Sequence, residues 1–499
     1  MTKRAVIIGG GLGGLATACL LGKAGYRVTV LEQNEQLGGR AGILKAKGFT
    51  FDTGPSWYLM PDVFEHFFAL LGERLSDHLD LVRLDPAYRI FYKDTDDQLD
   101  ITADLTQNAA AFEAIEPGAG RQLRQYLAQA ERGYTIAQHH ILYKNMRLHD
   151  VFSADTWSAL RAVPLATTMY QHVRQYIRNP HLQKTLMMPS VFLGVSPYRA
   201  PALYSLLNHT LFTQGAWYPK RGIYTLVDAL VAIGRKHGVV HRTNAPVERI
   251  LVKNGVAKGV NIRGGTTIPA DVVISNADIS YTETHLLGES YRDHSEAYWS
   301  RRTLAPSALL LYLGVAKQYS SLAHHNLLFS ENWRQNFDEL FKSTTFPTDP
   351  SLYVCAPSKT DPSVAPHGHE NLFVLVPVAA GITYTPQQLK TYAGKTLATM
   401  EHSLGLPGLR QAIVYQKLFC VNDFAGRFHS PQGTGLGLAH TLRQTAFLRP
   451  ANTSKKVAGL YYAGATVPPG IGMPSVLISA ELLYKQLCGD RSAGPLTSL

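Results

Sequence analysis

The sequence predicts an α/β protein with an α+β portion: a parallel sheet built from separated stretches of chain, a mixed-sheet domain and a helical region. Three observations predict it. The chain opens strand, glycine turn, helix, strand; it returns to short strands after residue 217; and it closes strand, loop, helix. At 499 residues the chain is too long for one core, so two or three domains are expected.

The opening strand covers residues 4–8 (Arg-Ala-Val-Ile-Ile), a helical apolar face follows over 12–24, and a second strand over 27–32. From 61 to 215 the pattern is more helical, with Pro61 placed to start a helix. A helix over 225–237 leads into short strands near 239–242, 247–252, 257–262 and 272–275, with hairpin turns at Lys253-Asn254-Gly255 and Arg263-Gly264-Gly265. Residues 290–455 alternate strands with helices and loops. The end reads strand (460–463), glycine/proline loop, helix (474–487). The resulting segmentation is 1–80, 217–285 and 456–499 for the parallel-sheet domain, 81–216 for the helical region and 286–455 for the second domain.

Gly9-Gly10-Gly11-Leu12-Gly13-Gly14 satisfies GxGxxG between a buried strand and a helix. Gly9 permits the tight turn, Gly11 lets the backbone approach a pyrophosphate, and Gly14 lets helix and strand pack closely. The helix N-terminus offers free N–H groups and a positive dipole end to phosphates. Glu32, at the end of the second strand, is placed to accept hydrogen bonds from a ribose. This is a dinucleotide site of the Rossmann type.

The continuation separates FAD from NAD. Gly38-Gly39-Arg40 follows Glu32, and Gly48-Phe49-Thr50-Phe51-Asp52-Thr53-Gly54-Pro55-Ser56 comes shortly after. This run resembles the extended FAD signature of the amine-oxidase and carotenoid-desaturase superfamily, in which the Gly-Gly-Arg backbone lies along the ribityl and phosphate portion of FAD. The resemblance places Gly54 and Pro55 in the same site, Val247 where backbone contacts the adenine, and Asn276 at the exit from the FAD region. Gly464, Ala465, Gly470, Gly472 and Met473 fall in the C-terminal return, where a helix N-terminus faces the flavin pyrimidine edge.

Nearly the whole chain is similar to bacterial-type phytoene desaturases and their dehydrosqualene relatives. Trp217 to Val227, Leu322-Ala323-His324-His325, Ser351-Leu352-Tyr353 and Phe447 to Asn452 look like landmarks of that family. One departure is Gly464-Ala465-Thr466-Val467-Pro468-Pro469-Gly470, where the family wording is Gly-x-x-x-His-Pro-Gly. The resemblance implies an FAD-dependent oxidoreductase of carotenoid biosynthesis acting on a long isoprenoid hydrocarbon, with hydride passing to flavin N5 and a proton leaving the adjacent carbon. Quinone or oxygen would be the electron acceptor. Phytoene is the leading substrate. A C30 dehydrosqualene, flavin-dependent carotene isomerisation and a non-enzymatic prenyl-binding role are the alternatives.

No acid or base stands out. Asp150 is the candidate, because Asp150 and Asp155 are the only carboxylates between residues 140 and 227. Gly433-Thr434-Gly435-Leu436-Gly437-Leu438 fails as a second fingerprint, since Leu438 occupies the third glycine position. The four cysteines are scattered and read as reduced thiols, and His324-His325 and His367-Gly368-His369 read as loop histidines, so no metal is assigned.

The net charge is +11, with 45% hydrophobic and 17% charged residues. No nucleic-acid motif accompanies the charge. No stretch of about 18 apolar residues spans a bilayer. Between 140 and 215, Lys144, Arg147, Arg161, Arg174, Arg178, Lys184 and Arg199 face only two acids and interleave with apolar and aromatic residues. That composition suits docking on an anionic lipid surface by a cytoplasmic, peripherally membrane-associated protein.

Overall fold

A computed structural model describes residues 2–145, 167–445 and 448–499. Its five-stranded sheet is parallel throughout and takes strands from three distant parts of the chain. The order is Leu460–Tyr462, Val272–Ser275, β1 (Arg4–Ile8), β2 (Arg27–Leu31) and Val240–Arg242. Ala5, Val6, Ile7, Val272, Val273 and Ile274 are all buried, as an apolar run covered on both faces requires. Helix α1 (Leu12–Lys23) is buried from Leu12 to Gly22 and packs with the helices Tyr224–Lys236 and Met473–Cys488.

Beside this sheet lies an antiparallel ribbon of Val247–Lys253, Val256–Ile262 and Thr267–Pro269. Both of its turns are those the glycines suggested. Asn254 and Gly255 take φ of 53° and 71°, and Gly264 and Gly265 take 90° and 80°.

The second sheet has seven strands in the order Ile413–Phe419, Ser307–Val315, Glu370–Val378, Leu352–Cys355, His325–Phe329, Tyr88–Tyr92 and Gln98–Ile101. It is mixed, because His325–Phe329 and Tyr88–Tyr92 run parallel while the other pairs are antiparallel. One face buries Leu310, Tyr312, Leu327 and Tyr353 against the helices of 105–137 and 169–193. The other buries Leu309, Leu311 and Val374 against the helix Pro386–Ser403.

Three expectations need correction. Residues 81–101, placed in the helical region, are strands: Tyr88, Ile90 and Tyr92 alternate into the core, and Leu81–Arg83 pairs with Trp217–Pro219. His325, read as a loop residue, opens a strand and pairs with Cys355. The final helix begins at Met473, so Pro474 takes its second position rather than its first.

Asp52 ties these parts together. Its carboxylate accepts from the backbone N–H of Ile223 (2.9 Å) and Tyr224 (3.2 Å), capping the helix 171 residues further on. Burial raises its pKa from the ordinary 3.8 to about 7, against the pull of those two N–H groups. The unfolded chain therefore releases this proton at lower pH than the folded one. The group's contribution to stability declines from about pH 4 to pH 7 and then levels. Asp52→Asn cannot ionise, so its melting temperature should improve relative to wild type between pH 5 and pH 8. A difference in melting temperature that ignores pH would contradict this.

Candidate functional site

Four stretches of backbone cross at the C-terminal end of β1. Gly9 has φ of +94°, and its missing Cβ would lie 3.3 Å from Ala277 N. A methyl on Gly14 would overlap Gly9 O, and one on Gly13 would sit 2.7 Å from Asn276 Oδ1 and 3.0 Å from Gly464 Cα. The second glycine pair lies on the first: Gly38 N–H donates to Gly10 O at 2.8 Å, and Gly11 bridges to Gly38. A methyl on Gly54 would overlap Arg40 O. Asn276 Nδ2 donates to Gly9 O at 3.3 Å, and its Oδ1 would lie 2.6 Å from a Cβ on Gly464. Gly11 differs from its neighbours. Its absent Cβ would lie 3.0 Å from the Asn276 side-chain nitrogen and 4.0 Å from Gly38 and Gly39, so a side chain there would press on the Asn276 amide, the end of a side chain rather than backbone, and otherwise enter the cradle.

Glu32 is buried, with Oε2 accepting from Gly10 N–H (2.8 Å) and Oε1 accepting from Asn34 N–H (2.9 Å). Oε1 also accepts from Asn34 Nδ2 (2.8 Å), so Oε2 is the oxygen that keeps a second lone-pair site. Val247 is buried with Val6, Ile8, Leu31 and Ala245, next to the strand that carries Glu32. Pro55 is half-buried in the loop after Gly54.

The cradle carries buried charge. Arg40 donates from Nη2 to Ser430 Oγ (2.8 Å) and lies over the Phe428 ring (5.5 Å), while its buried Nε has no partner. Burial lowers the Arg40 pKa and raises that of Asp278; their mutual attraction opposes both shifts. An unmatched guanidinium N–H at a glycine cradle suits an anionic or oxygen-rich ligand.

The C-terminal turn closes the other side. Gly464 N–H donates to Ser479 Oγ (3.1 Å), and Ala465 O accepts from Arg449 Nη2 (2.8 Å). Gly470 and Gly472 take φ of 126° and 115°, Met473 is buried against α1, and the last helix opens there. Where the family wording carries a histidine, this chain has Pro468, and a histidine reaches the turn from residue 440 instead. His440 Nε2 accepts from Ile471 N–H at 3.2 Å.

Three residues after Gly54, Trp57 centres an aromatic box that the sequence reading missed. It stacks on His325 at 4.1 Å and meets Phe192 (5.2 Å), Tyr88 (5.6 Å) and Tyr353 (5.7 Å). Tyr353 OH joins Ser56 Oγ (2.7 Å) to His325 Nδ1 (2.8 Å). A ring nitrogen from each of His324 and His325 and the Cys355 thiol lie within 4.8 Å of one another, a buried cluster that assigning no metal ligands did not foresee. Burial drives both histidines well towards the neutral form. Asp150, the candidate acid or base, lies outside the described residues.

The chain matches the model of the flavin containing amine oxidoreductase family over residues 12–482. It belongs to that family. Within it, the chain is 46% identical to the carotenoid 3,4-desaturase of Haloarcula japonica, over 97% of this chain and 98% of that protein. It is 37% identical to the zeta-carotene-forming phytoene desaturase of Myxococcus xanthus (97% and 94%). To the 4,4'-diapophytoene desaturase of Staphylococcus haemolyticus it is 31% identical (98% and 99%). An oxidoreductase from Methanosarcina mazei shares the fold at TM-score 0.64 and 18% identity (97% and 100%), as does putrescine oxidase at 0.63 and 13% (98% and 99%).

The protein is an FAD-dependent oxidoreductase of the carotenoid desaturase family, and it desaturates an isoprenoid in carotenoid biosynthesis. The unpartnered Arg40 Nε and the glycine-lined cradle, where a Cβ on Gly11 would meet the Asn276 amide, fit such a cofactor. Gly11→Val should abolish flavin retention while leaving the cofactor-free fold intact, checked by flavin absorbance and melting temperature. A yellow Gly11→Val protein would contradict the placement.

Proposed function

We propose that the glycine cradle holds FAD with its pyrophosphate at the N-terminus of α1, between Gly9, Gly11 and Gly14, where N–H groups and the helix dipole favour negative charge. In this reading Glu32 accepts from the ribose hydroxyls, the backbone near Val247 borders the adenine, and Gly38, Gly39 and Arg40 follow the ribityl-phosphate portion. Gly54 and Pro55, with Asn276, wall the same cleft. Gly464, Ala465, Gly470, Gly472 and Met473 border the isoalloxazine. Bound FAD supplies the hydride acceptor. The chain supplies orientation, a dry interior and donors at the turn.

The substrate we propose is an acyclic carotenoid oxidised at its 3,4 bond, with phytoene as the second reading. Support comes from the strongest of the likenesses above, that to a carotenoid 3,4-desaturase, and from the departure at Val467-Pro468, which separates this chain from the wording of phytoene desaturases. The observation carrying a hydrocarbon substrate is the aromatic box at Trp57. Trp57 and Phe192 pack against an apolar cluster containing Phe212, Leu327 and Phe329. The likeness to the phytoene desaturase of Myxococcus xanthus favours the second reading.

Expression in cells that accumulate lycopene, and separately in cells that accumulate phytoene, divides the two. The expected product in the lycopene background has two hydrogens fewer and a red-shifted spectrum, with phytoene untouched. Pigment formed only from phytoene would favour the second reading, and an unchanged hydrogen count with altered isomers would mean isomerisation.

We also propose shallow docking on anionic lipid, with a membrane quinone, or oxygen, as electron acceptor. No described helix is long and apolar enough to cross a membrane. Of the interleaved residues, Leu186, Met187 and Met188 are buried, and Lys184 turns inward to the carbonyls of Ser330 and Glu331. Arg174, Arg178 and Arg199 remain exposed. Near them a cleft of about 420 Å³ is lined by Tyr170, Met187, Tyr198 and Trp333 together with polar residues that include Lys184 and Arg334, a candidate mouth for a bilayer-resident substrate. Sedimentation with anionic liposomes should exceed that with neutral ones, and Arg174→Glu with Arg178→Glu should reduce it. Binding indifferent to lipid charge would contradict the docking.

A further inference from the structure

We infer that His440, held by Tyr204 and Thr445, is a positioning residue for the turn at Gly470–Gly472, and so for the donors at the N-terminus of the last helix. The inference rests on that turn facing the flavin.

The hydrogen-bond directions follow from chemistry. A backbone N–H can only donate, so Nε2 of His440, 3.2 Å from Ile471 N, must carry a lone pair. A neutral ring then bears its proton on Nδ1, which donates to Tyr204 OH at 2.8 Å. With its oxygen accepting from His440, the Tyr204 hydroxyl is left to donate to Thr445 Oγ1 at 2.5 Å. The chain Thr445–Tyr204–His440–Ile471 has one consistent polarity and selects one tautomer. A protonated imidazole would set an N–H against the Ile471 N–H. Burial and the Arg449 guanidinium, the charged group beside it, both disfavour that state.

Sterics lead to the same placement. Gly470 has φ of +126°, and a methyl there would overlap the His440 ring and approach Arg449 Cζ at 3.4 Å. The imidazole therefore fills the space beneath the turn. Arg449 holds the turn's beginning through Ala465 O and the His440 loop through Leu438 O and Gln444 O. Tyr204 belongs to the short helix Ala202–Ser205, so the chain joins the helical region to the turn. Pro468 and Pro469, inside the turn, have no N–H with which to fix it themselves. The Ile471 N–H is instead fixed from outside.

The test uses the FAD-loaded enzyme. His440→Leu should lower the flavin reduction potential and reduce kcat about tenfold, with KM for the carotenoid little changed. His440→Gln, whose carbonyl can accept from Ile471 N–H, should recover most of both. Tyr204→Phe, which removes only the hydroxyl, should fall between them, and it carries the test if His440→Leu does not fold. Gly472→Ala strains the same turn without touching His440. If Gly472→Ala shifts the potential and the His440 and Tyr204 variants do not, the positioning role is overturned and the placement of the turn stands. If none shifts it, the turn does not face the flavin and both readings fail.

Discussion

Where β1 ends, the backbone of residues 9–14 must pass within contact of residues 38–39, 276 and 464, and at Gly13 and Gly14 there is room for hydrogen atoms only. Much of the architecture follows from that crossing. Gly14 over Gly9 sets how closely α1 lies on the sheet, and Gly13 against Gly464 sets where the C-terminal return docks. Asn276, bonded to Gly9 O, fixes the strand between them. Adding a Cβ at such points forces backbone to move and costs at least about 1–3 kcal/mol, because packed interiors have no slack to absorb it. The first turn of α1, whose N–H groups have no intrahelical partner, starts at the same crossing.

Around this crossing the protein keeps charges in places where water would normally screen them. Arg40 and Asp278 share the cradle, Arg449 holds the C-terminal turn, and Asp52 caps a helix from the opposite side. Arg449 is buried, and Arg40, Asp278 and Asp52 are partly buried. The Nε atoms of Arg40, at the cradle, and of Arg449, at the turn, are buried without a hydrogen-bond partner. The aromatic box around Trp57 is of another kind, with neutral imidazole and phenol groups in a dry surround. Polar cradle and apolar box abut through the loop from Gly54 to Trp57. A desaturase needs that junction, since one side must hold a dinucleotide and the other a hydrocarbon.

The cradle was legible in the sequence because its constraints are local. Glycine spacing, an acid at a strand end and a proline near a helix start each have one steric or electrostatic reason. The hairpins at Asn254-Gly255 and Gly264-Gly265 were legible on the same grounds. What escaped was pairing across long separations. The strands at 88–101 look unremarkable until His325–Phe329 lies beside them, and His325 reads as a loop residue until Cys355 pairs with it. His440 sits next to a failed glycine fingerprint and shows its role only through Ile471, 31 residues away. Lys184 was counted among surface cations, yet its ammonium reaches buried carbonyls. Composition does not distinguish those two situations.

The central claim is that electrons leave a carotenoid and arrive on a flavin held in this cradle. Anaerobic mixing of the FAD-loaded protein with lycopene in liposomes, followed by absorbance and product analysis, tests it most directly. The expected result is bleaching of the oxidised flavin band together with one new double bond per flavin, with no external acceptor present. A flavin that stays oxidised while lycopene and phytoene, each supplied in turn, return unchanged would contradict the account.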